Sequence, residues 1–395
     1  MPDGNWLSHV SRPFEIAKVL RERGHEMVFA GEGPYMKLPR DAGFEIRYAK
    51  TLDPEHVLQR SRSGRCDWYC YQTLCEGVDE DLSVFETLKP DLVLGDFRLS
   101  LSTSCELYGV PLAVTLNAAW TNYYTVRIRA PEHFKLTQLL GRRFTNALAP
   151  WLERFILSYD SRVHRRLRRE RGLSRRRNLW DIWRGDLNLL VDTPEYGPTR
   201  NLPEHFHYIG PIFWEPDLET PQWLDELDGT KPTIYFTMGS TGYPKFFRQA
   251  VELFGNTNYQ CIMTTAGLVD FDELPPNVYS TEYAPGSALM TVSDAVVCHG
   301  GNGTIYQAMA AGKPIIGIPT MHDQEFNLDR VVALGAGIQL SELKFEPNDL
   351  ITAVDEILTN AIYGRNASKH KEIIKGYGGS RQGAELIERF LNDAS

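Results

Sequence analysis

Residues 295–327 read Ala-Val-Val-Cys-His-Gly-Gly-Asn-Gly-Thr, then Ile-Tyr-Gln-Ala-Met-Ala-Ala-Gly-Lys-Pro-Ile-Ile-Gly-Ile-Pro, then Thr-Met-His-Asp-Gln-Glu-Phe-Asn. The apolar run Ala295–Cys298 predicts a buried strand. The His-Gly-Gly-Asn-Gly-Thr loop follows and opens a helix, expected over Ile305–Ala311. A second strand is expected over Pro314–Ile318, ending at Pro319, with the Asp323-Gln324 pair beyond it. Glycines let backbone N–H groups approach an anion closely, and a helix N-terminus adds the positive end of its dipole. The spacing suits a diphosphate at the first loop and a hydroxyl-rich group at Asp323 and Gln324.

The same reading extends in both directions. Strands are expected at Thr233–Thr237, Gln260–Met263 and Val278–Thr281 upstream of the loop. In the first half, Ser11–Arg23 reads as an amphipathic helix. Glu26–Ala30, Glu45–Tyr48, Asp91–Gly95 and Pro111–Thr115 read as short strands. Strands alternating with helices predict parallel sheets with crossover helices, hence an α/β protein of two doubly wound domains facing each other across a cleft. The expected domains are residues 1–209 and 232–379. Gly210–Lys231, rich in Pro, Glu, Asp and Trp, joins them as a linker.

A chain of 395 residues has room for two such domains. Its 42% hydrophobic and 24% charged residues describe a globular protein, and the net charge of −9 argues against general affinity for nucleic acid or anionic membranes. No apolar run is long enough for a membrane span. Cys66, Cys70, Cys75, Cys105, Cys261 and Cys298 match no zinc or disulfide spacing and read as reduced thiols of a cytoplasmic protein. Arg162–Arg177 holds nine arginines. Without interleaved aromatic residues it reads as a solvated surface helix, Ser161–Arg171, and the loop after it.

Strand, glycine loop, helix, strand and Asp-Gln in this order resemble the donor motif of family 1 glycosyltransferases. The loop resembles the bacterial natural-product type, not the plant pattern His-Cys-Gly-Trp-Asn-Ser. The resemblance is dense over 233–340, looser before 230, and implies the GT-B fold. It also implies that a last helix, within residues 380–395, crosses back to the N-terminal domain. Family members open with an apolar strand before a Gly-His loop. Here Met1 falls inside that loop, so a start further upstream is expected.

Moving a sugar from a nucleoside diphosphate to a hydroxyl needs donors for the diphosphate, a base for the acceptor and a grip on the sugar. His299, Gly301, Asn302, Gly303 and Thr304 are the diphosphate candidates, with a second set in the turn Gly239, Ser240 and Thr241. Asp323 and Gln324 offer acceptors and a donor to sugar hydroxyls, although Asp323 would equally serve as a helix N-cap. Tyr283 lies in the loop that the resemblance assigns to the nucleobase. Gln307 stands where the family carries a Glu for the ribose, which removes a charge-assisted bond. The resemblance makes His9 the base and Asp96 its partner. His25, in an Arg-Gly-His-Glu turn, reads as structural. Trp68, Tyr71, Trp120 and Tyr124 are candidate acceptor-wall residues for a flat aglycone such as a flavonoid or a polyketide.

Metal-dependent glycosyltransferases of the other main fold use Asp-x-Asp. The nearest match, Asp79-Glu80-Asp81, sits in a polar helical stretch, Thr73–Glu86, and reads as a solvated face. No metal or further cofactor is expected. The reading is therefore an inverting hexosyltransferase that needs a nucleotide sugar, UDP-glucose first, and a small-molecule acceptor. Membrane association is not expected, and oligomeric state is not legible. Three alternatives stay open: a nucleotide-sugar epimerase on the same fold, a non-catalytic nucleotide-sugar-binding relative, and a lipid-modifying glycosyltransferase served by Arg162–Arg177.

Overall fold

A computed structural model describes the chain except residues 64, 128, 133, 240, 241 and 395 and the side chain of residue 394. It divides into two compact units. The first comprises Met1–Ala130, Phe134–Trp214 and Tyr377–Ser395, and the second comprises Pro131–His133 and Glu215–Gly376.

The second unit is built on six parallel strands. They are β7 (Thr233–Thr237), β8 (Gln260–Thr264), β9 (Val278–Thr281), β10 (Ala295–Cys298), β11 (Ile315–Gly317) and β12 (Gly337–Gln339), in the order β12-β11-β10-β7-β8-β9. Strands buried on both faces need continuous apolar sequence. β7, β8, β10 and β11 are buried at every residue, and Phe236, Phe247, Phe254 and Ile316 fill the core. The order reverses between β7 and β10. Their carboxyl ends therefore open the crevice where doubly wound sheets take ligands. β12 was not expected from the sequence, because its three residues begin with a glycine and carry no apolar run.

In the first unit β3 (Val93–Gly95), β4 (Leu112–Leu116), β5 (Leu187–Leu190) and β6 (Phe206–Tyr208) form a parallel sheet in that order. β1 (Val28–Ala30) pairs with β2 (Glu45–Arg47) in a separate two-stranded sheet. Pro2 bridges Asp96 in parallel at the end of β3, and the Asp3 amide donates to the Asp96 carbonyl at 3.1 Å. β5 and β6 also escaped the sequence reading. A polar residue, Asn188, interrupts β5, and its side-chain amide is satisfied by the Gly185 and His205 carbonyls.

The last helix, Ser380–Ala394, packs on the first, Leu7–Glu22. Ala384 and Ile387 bury against Ile16 and Leu20. Arg23 donates to Glu388 at 2.6 Å, and His25 lies 3.0 Å from the same carboxylate, so His25 serves as a tie between these helices.

Asp79, Glu80 and Asp81 do not form one solvated face. Asp81 is fully buried, accepting from Arg98 at 2.8 Å and from the Ser104 hydroxyl at 2.7 Å. A buried carboxylate must be paired. The helix Tyr71–Leu88 turns Asp81 onto the neighbouring helix Leu101–Tyr108 and leaves Asp79 exposed.

Candidate active site

In the first unit the carboxyl end of β3 delivers Asp96 to His9. The first helix starts at Leu7, one turn before the expected Ser11, with Pro13 inside it. His9 thus lies in its first turn. Its Nδ1 sits 2.6 Å from Asp96 Oδ1. A carboxylate only accepts, so Nδ1 carries the proton and Nε2 of the neutral ring keeps its lone pair.

Asp96 is 2% exposed and held on its other oxygen. Thr115 Oγ1 on β4 donates to Oδ2 at 2.5 Å, and Arg12 Nη1 lies 3.9 Å from it. Arg12 Nη2 reaches Asn117 Oδ1 at 3.1 Å, and Asn117 Nδ2 reaches Asp192 Oδ1 at 3.1 Å. Phe97 stacks on His9 with ring centroids 4.5 Å apart and planes 7° apart. To do so it adopts φ of +57°, which side chains rarely take and which clusters at functional sites.

His9, Asp96 and Arg12 line a cavity of about 50 Å³ that opens to solvent. Trp120 and Trp183 form part of its wall, their ring centroids 4.6 Å apart. Trp68 is buried behind Phe97. Tyr71 and Tyr124 do not line the cavity. Tyr71 bonds Glu170 with Arg166 over its ring, and Tyr124 bridges Thr199.

Arg12, Thr115, Phe97 and Trp183 were missed. Arg12 is three residues after His9, hence on the same helix face, and that signal was available. Thr115 neighbours Asp96 because Val114 pairs with Gly95, which only the strand register reveals.

In the second unit the loop after β10 leads into a helix, Asn302–Ala311, that starts three residues earlier than expected, with Gly301 at its N-cap. The amides of Asn302, Gly303 and Thr304 therefore fall in its first turn, where helices leave N–H groups without intrahelical partners. His299 is buried between Gly239, after β7, and Gly301. A Cβ on Gly239 would stand 2.6 Å from the His299 ring, and one on Gly301 2.5 Å from it. Only glycine leaves this slot open. Burial pushes the His299 imidazole down to about 4, and its Nδ1 has no hydrogen-bond partner among the described residues. Ser240 and Thr241 lie outside the described residues.

After β11, Gln324 is buried, and its side-chain carbonyl accepts from the amide and hydroxyl of Thr320, both at 2.9 Å. Asp323 is exposed in the first turn of the helix His322–Ala333, whose N-cap position is Met321 and not Asp323. Gln307 lies against the start of the helix Gly286–Val292, its Oε1 3.2 Å from where a Gly286 Cβ would stand. Tyr283 is exposed, its hydroxyl 3.3 Å from the Ala266 carbonyl. Among the described residues no group of three or more His, Cys, Asp or Glu side chains is placed to hold a metal ion. No described helix is long and apolar enough to cross a membrane.

The family described as "Erythromycin biosynthesis protein CIII-like, C-terminal domain" matches residues 254–375. A "PGL/p-HBAD biosynthesis glycosyltransferase" of Mycobacterium tuberculosis is 33% identical over 370 residues, 93% of this chain and 86% of that protein. A "PGL/p-HBAD biosynthesis rhamnosyltransferase" of Mycobacterium bovis is 32% identical, covering 92% and 81%. The crystal structure of CalG4, the calicheamicin glycosyltransferase, superposes with a TM-score of 0.73 at 20% identity, over 98% of this chain and 96% of that one. The chain belongs to the family 1 glycosyltransferases, enzymes of the GT-B fold that take a nucleotide sugar as co-substrate.

Proposed function

We propose that the chain is an inverting hexosyltransferase in which His9 is the base and Asp96 its positioning partner. The observation that carries this reading is the 2.6 Å contact between His9 Nδ1 and a buried Asp96, inside a cavity walled by Trp120 and Trp183. His9 Nε2 takes the acceptor hydroxyl proton as the acceptor oxygen bonds to the anomeric carbon. The bond from that carbon to the diphosphate oxygen breaks, and its electron pair leaves with the diphosphate. Attack opposite the leaving group inverts the anomeric centre. Asp96 stabilises the imidazolium that forms.

The first-turn amides of Asn302, Gly303 and Thr304 receive the leaving diphosphate, with the Gly239 amide as a further donor. His299, neutral near pH 7, meets it as a hydrogen-bond donor and not as a cation. Asp323 and Gln324 hold sugar hydroxyls, Gln307 the ribose and Tyr283 the nucleobase. No metal ion takes part. The rhamnosyltransferase among the relatives favours a TDP-linked rhamnosyl donor over UDP-glucose. The aromatic wall favours a flat or polyketide acceptor.

A mass-spectrometric transfer assay tests this. TDP-rhamnose and UDP-glucose would be paired with phenolic and polyketide acceptors, using wild type and His9→Ala. A sugar added by wild type and lost in the variant is expected. Equal product from both removes the base assignment. Nucleotide binding without product from any pair favours a non-catalytic relative.

A further inference from the structure

The helix Arg142–Asp160 carries its apolar residues on the wrong side for a core helix. Phe144, Leu148, Trp151, Leu152, Phe155 and Tyr159 are all exposed, Trp151 by 76% and Phe155 by 66%. At 3.6 residues per turn these six positions fall within a stripe about 100° wide. The face turned inward carries Thr145, Leu157 and Asp160, two of them polar. Asp160 is satisfied there by Arg65 at 2.5 Å and the Cys66 amide at 2.8 Å. Single exposed apolar residues need no explanation, but a contiguous stripe marks an interaction surface. Leu139, 80% exposed on the short helix packed against this one, extends it.

The charge around the stripe identifies its occupant. Residues 142–177 hold twelve arginines against three carboxylates, Glu153, Asp160 and Glu170, in a chain whose net charge is −9. Some of these arginines serve the fold, as Arg168 does with Glu106 at 2.6 Å. Arg143, Arg154 and Arg162 are exposed beside the stripe, and Arg162 lies 4.0 Å over the Tyr159 ring at its end. A helix with aromatic and leucine side chains on one face and arginines at its margins suits the plane of an anionic bilayer. Trp and Tyr favour that boundary. A second copy packed stripe to stripe would instead set the same arginines against each other.

We infer that the Arg142–Asp160 helix docks this protein on anionic lipid surfaces, its stripe among the acyl chains and its arginines at the headgroups. The inference stands apart from the transfer reading, because binding is read without any sugar.

Flotation with phosphatidylcholine vesicles, with and without phosphatidylglycerol, tests it at low and high salt. The wild-type protein is expected to float with the anionic vesicles and to be released by salt. Binding to phosphatidylcholine alone should be at least about tenfold weaker. Trp151→Glu and Phe155→Glu, at exposed positions, should each weaken anionic binding by about tenfold with unchanged melting temperatures. Replacing Arg143, Arg154 and Arg162 together by Gln should remove the preference for anionic lipid. A wild-type protein left at the bottom of the gradient at low salt overturns the inference, as does binding unaffected by both glutamates. A dimer in sedimentation velocity that Trp151→Glu dissociates overturns it too, assigning the stripe to a second copy.

Discussion

His9 and His299 are the same side chain in opposite electrical settings. His9 is partly exposed, bonded to a buried carboxylate and stacked on Phe97, with Arg12 close by. His299 is buried between two glycines, and burial alone lowers its pKa to about 4. The first sets the ring against a carboxylate, and the second, by burial, disfavours a charged ring. On the proposed chemistry the base must become cationic, while the group at the diphosphate works as a neutral dipole. The difference also shows two ways of building a site. One assembles charged side chains from distant segments, and the other shapes a backbone slot from neighbouring residues.

The largest effect should come from His9. Replacing it with Ala should lower kcat by about 10²–10⁴-fold, the usual contribution of a general base, with the KM for the nucleotide sugar little changed. Single-turnover transfer would read this directly. Loss of donor affinity instead of kcat would mean that the two histidines share one task, and the contrast would fail.

His299 offers the next test, through pH. Its folded-state pKa of about 4 lies below the ordinary 6.5, so between these values the unfolded chain holds the proton that the folded chain refuses. Stability from this group is complete above pH 6.5 and falls as pH drops toward 4, by about 3 kcal/mol in all. His164, pushed down to about 3 by burial and by Arg168, acts in the same direction. The useful quantity is therefore the difference between wild type and His299→Gln in urea midpoint, measured at pH 7 and pH 4.5. The variant should lose less stability on acidification. Parallel losses would show that His299 is not held neutral by burial.

Gly301→Ala sharpens the same side of the comparison. The new methyl group would stand 2.5 Å from the His299 ring, which Gly239 hems in from the other side. Relief requires moving the ring or the start of the helix, at about 1–3 kcal/mol. Thermal melting should fall accordingly, and the KM for the nucleotide sugar should rise more than kcat falls. An unchanged melting temperature would mean that the slot is looser than these distances describe.

The two constructions were unequally legible. Residues 295–327 announced the second unit's loop because its parts are contiguous: a strand, glycines, a helix start and an Asp-Gln pair. Even there the chain did not reveal that Gln324 turns its carbonyl to Thr320, because a buried amide takes whichever partner the tertiary fold brings near. In the first unit, His9 and Asp96 came from family resemblance, not from spacing. The hydroxyl that holds Asp96 depends on the β3–β4 register, which no local pattern encodes. Asp81 reads as a polar helix position until Arg98 and Ser104 close over it. The exposed stripe of Arg142–Asp160 was not legible at all, because amphipathic spacing shows which residues share a face, not what that face meets.

Thr115 should give the smallest of these effects and the one most specific to the first construction. Its hydroxyl donates to Asp96 Oδ2 at 2.5 Å, and hydrogen bonds to charged groups contribute about 1.5–3 kcal/mol. Asp96 keeps His9 on its other oxygen and Arg12 nearby, so Thr115→Val should release only part of that hold. A fall in kcat of about tenfold is expected, with both KM values unchanged. Thr115→Ser, which returns the hydroxyl, should restore most of the rate. A merely structural role for Thr115 would lower the melting temperature of the Val variant and leave kcat alone, because Asp96 would then be oriented without it. No equivalent substitution exists around His299, where the ring is positioned by the absence of side chains at Gly239 and Gly301.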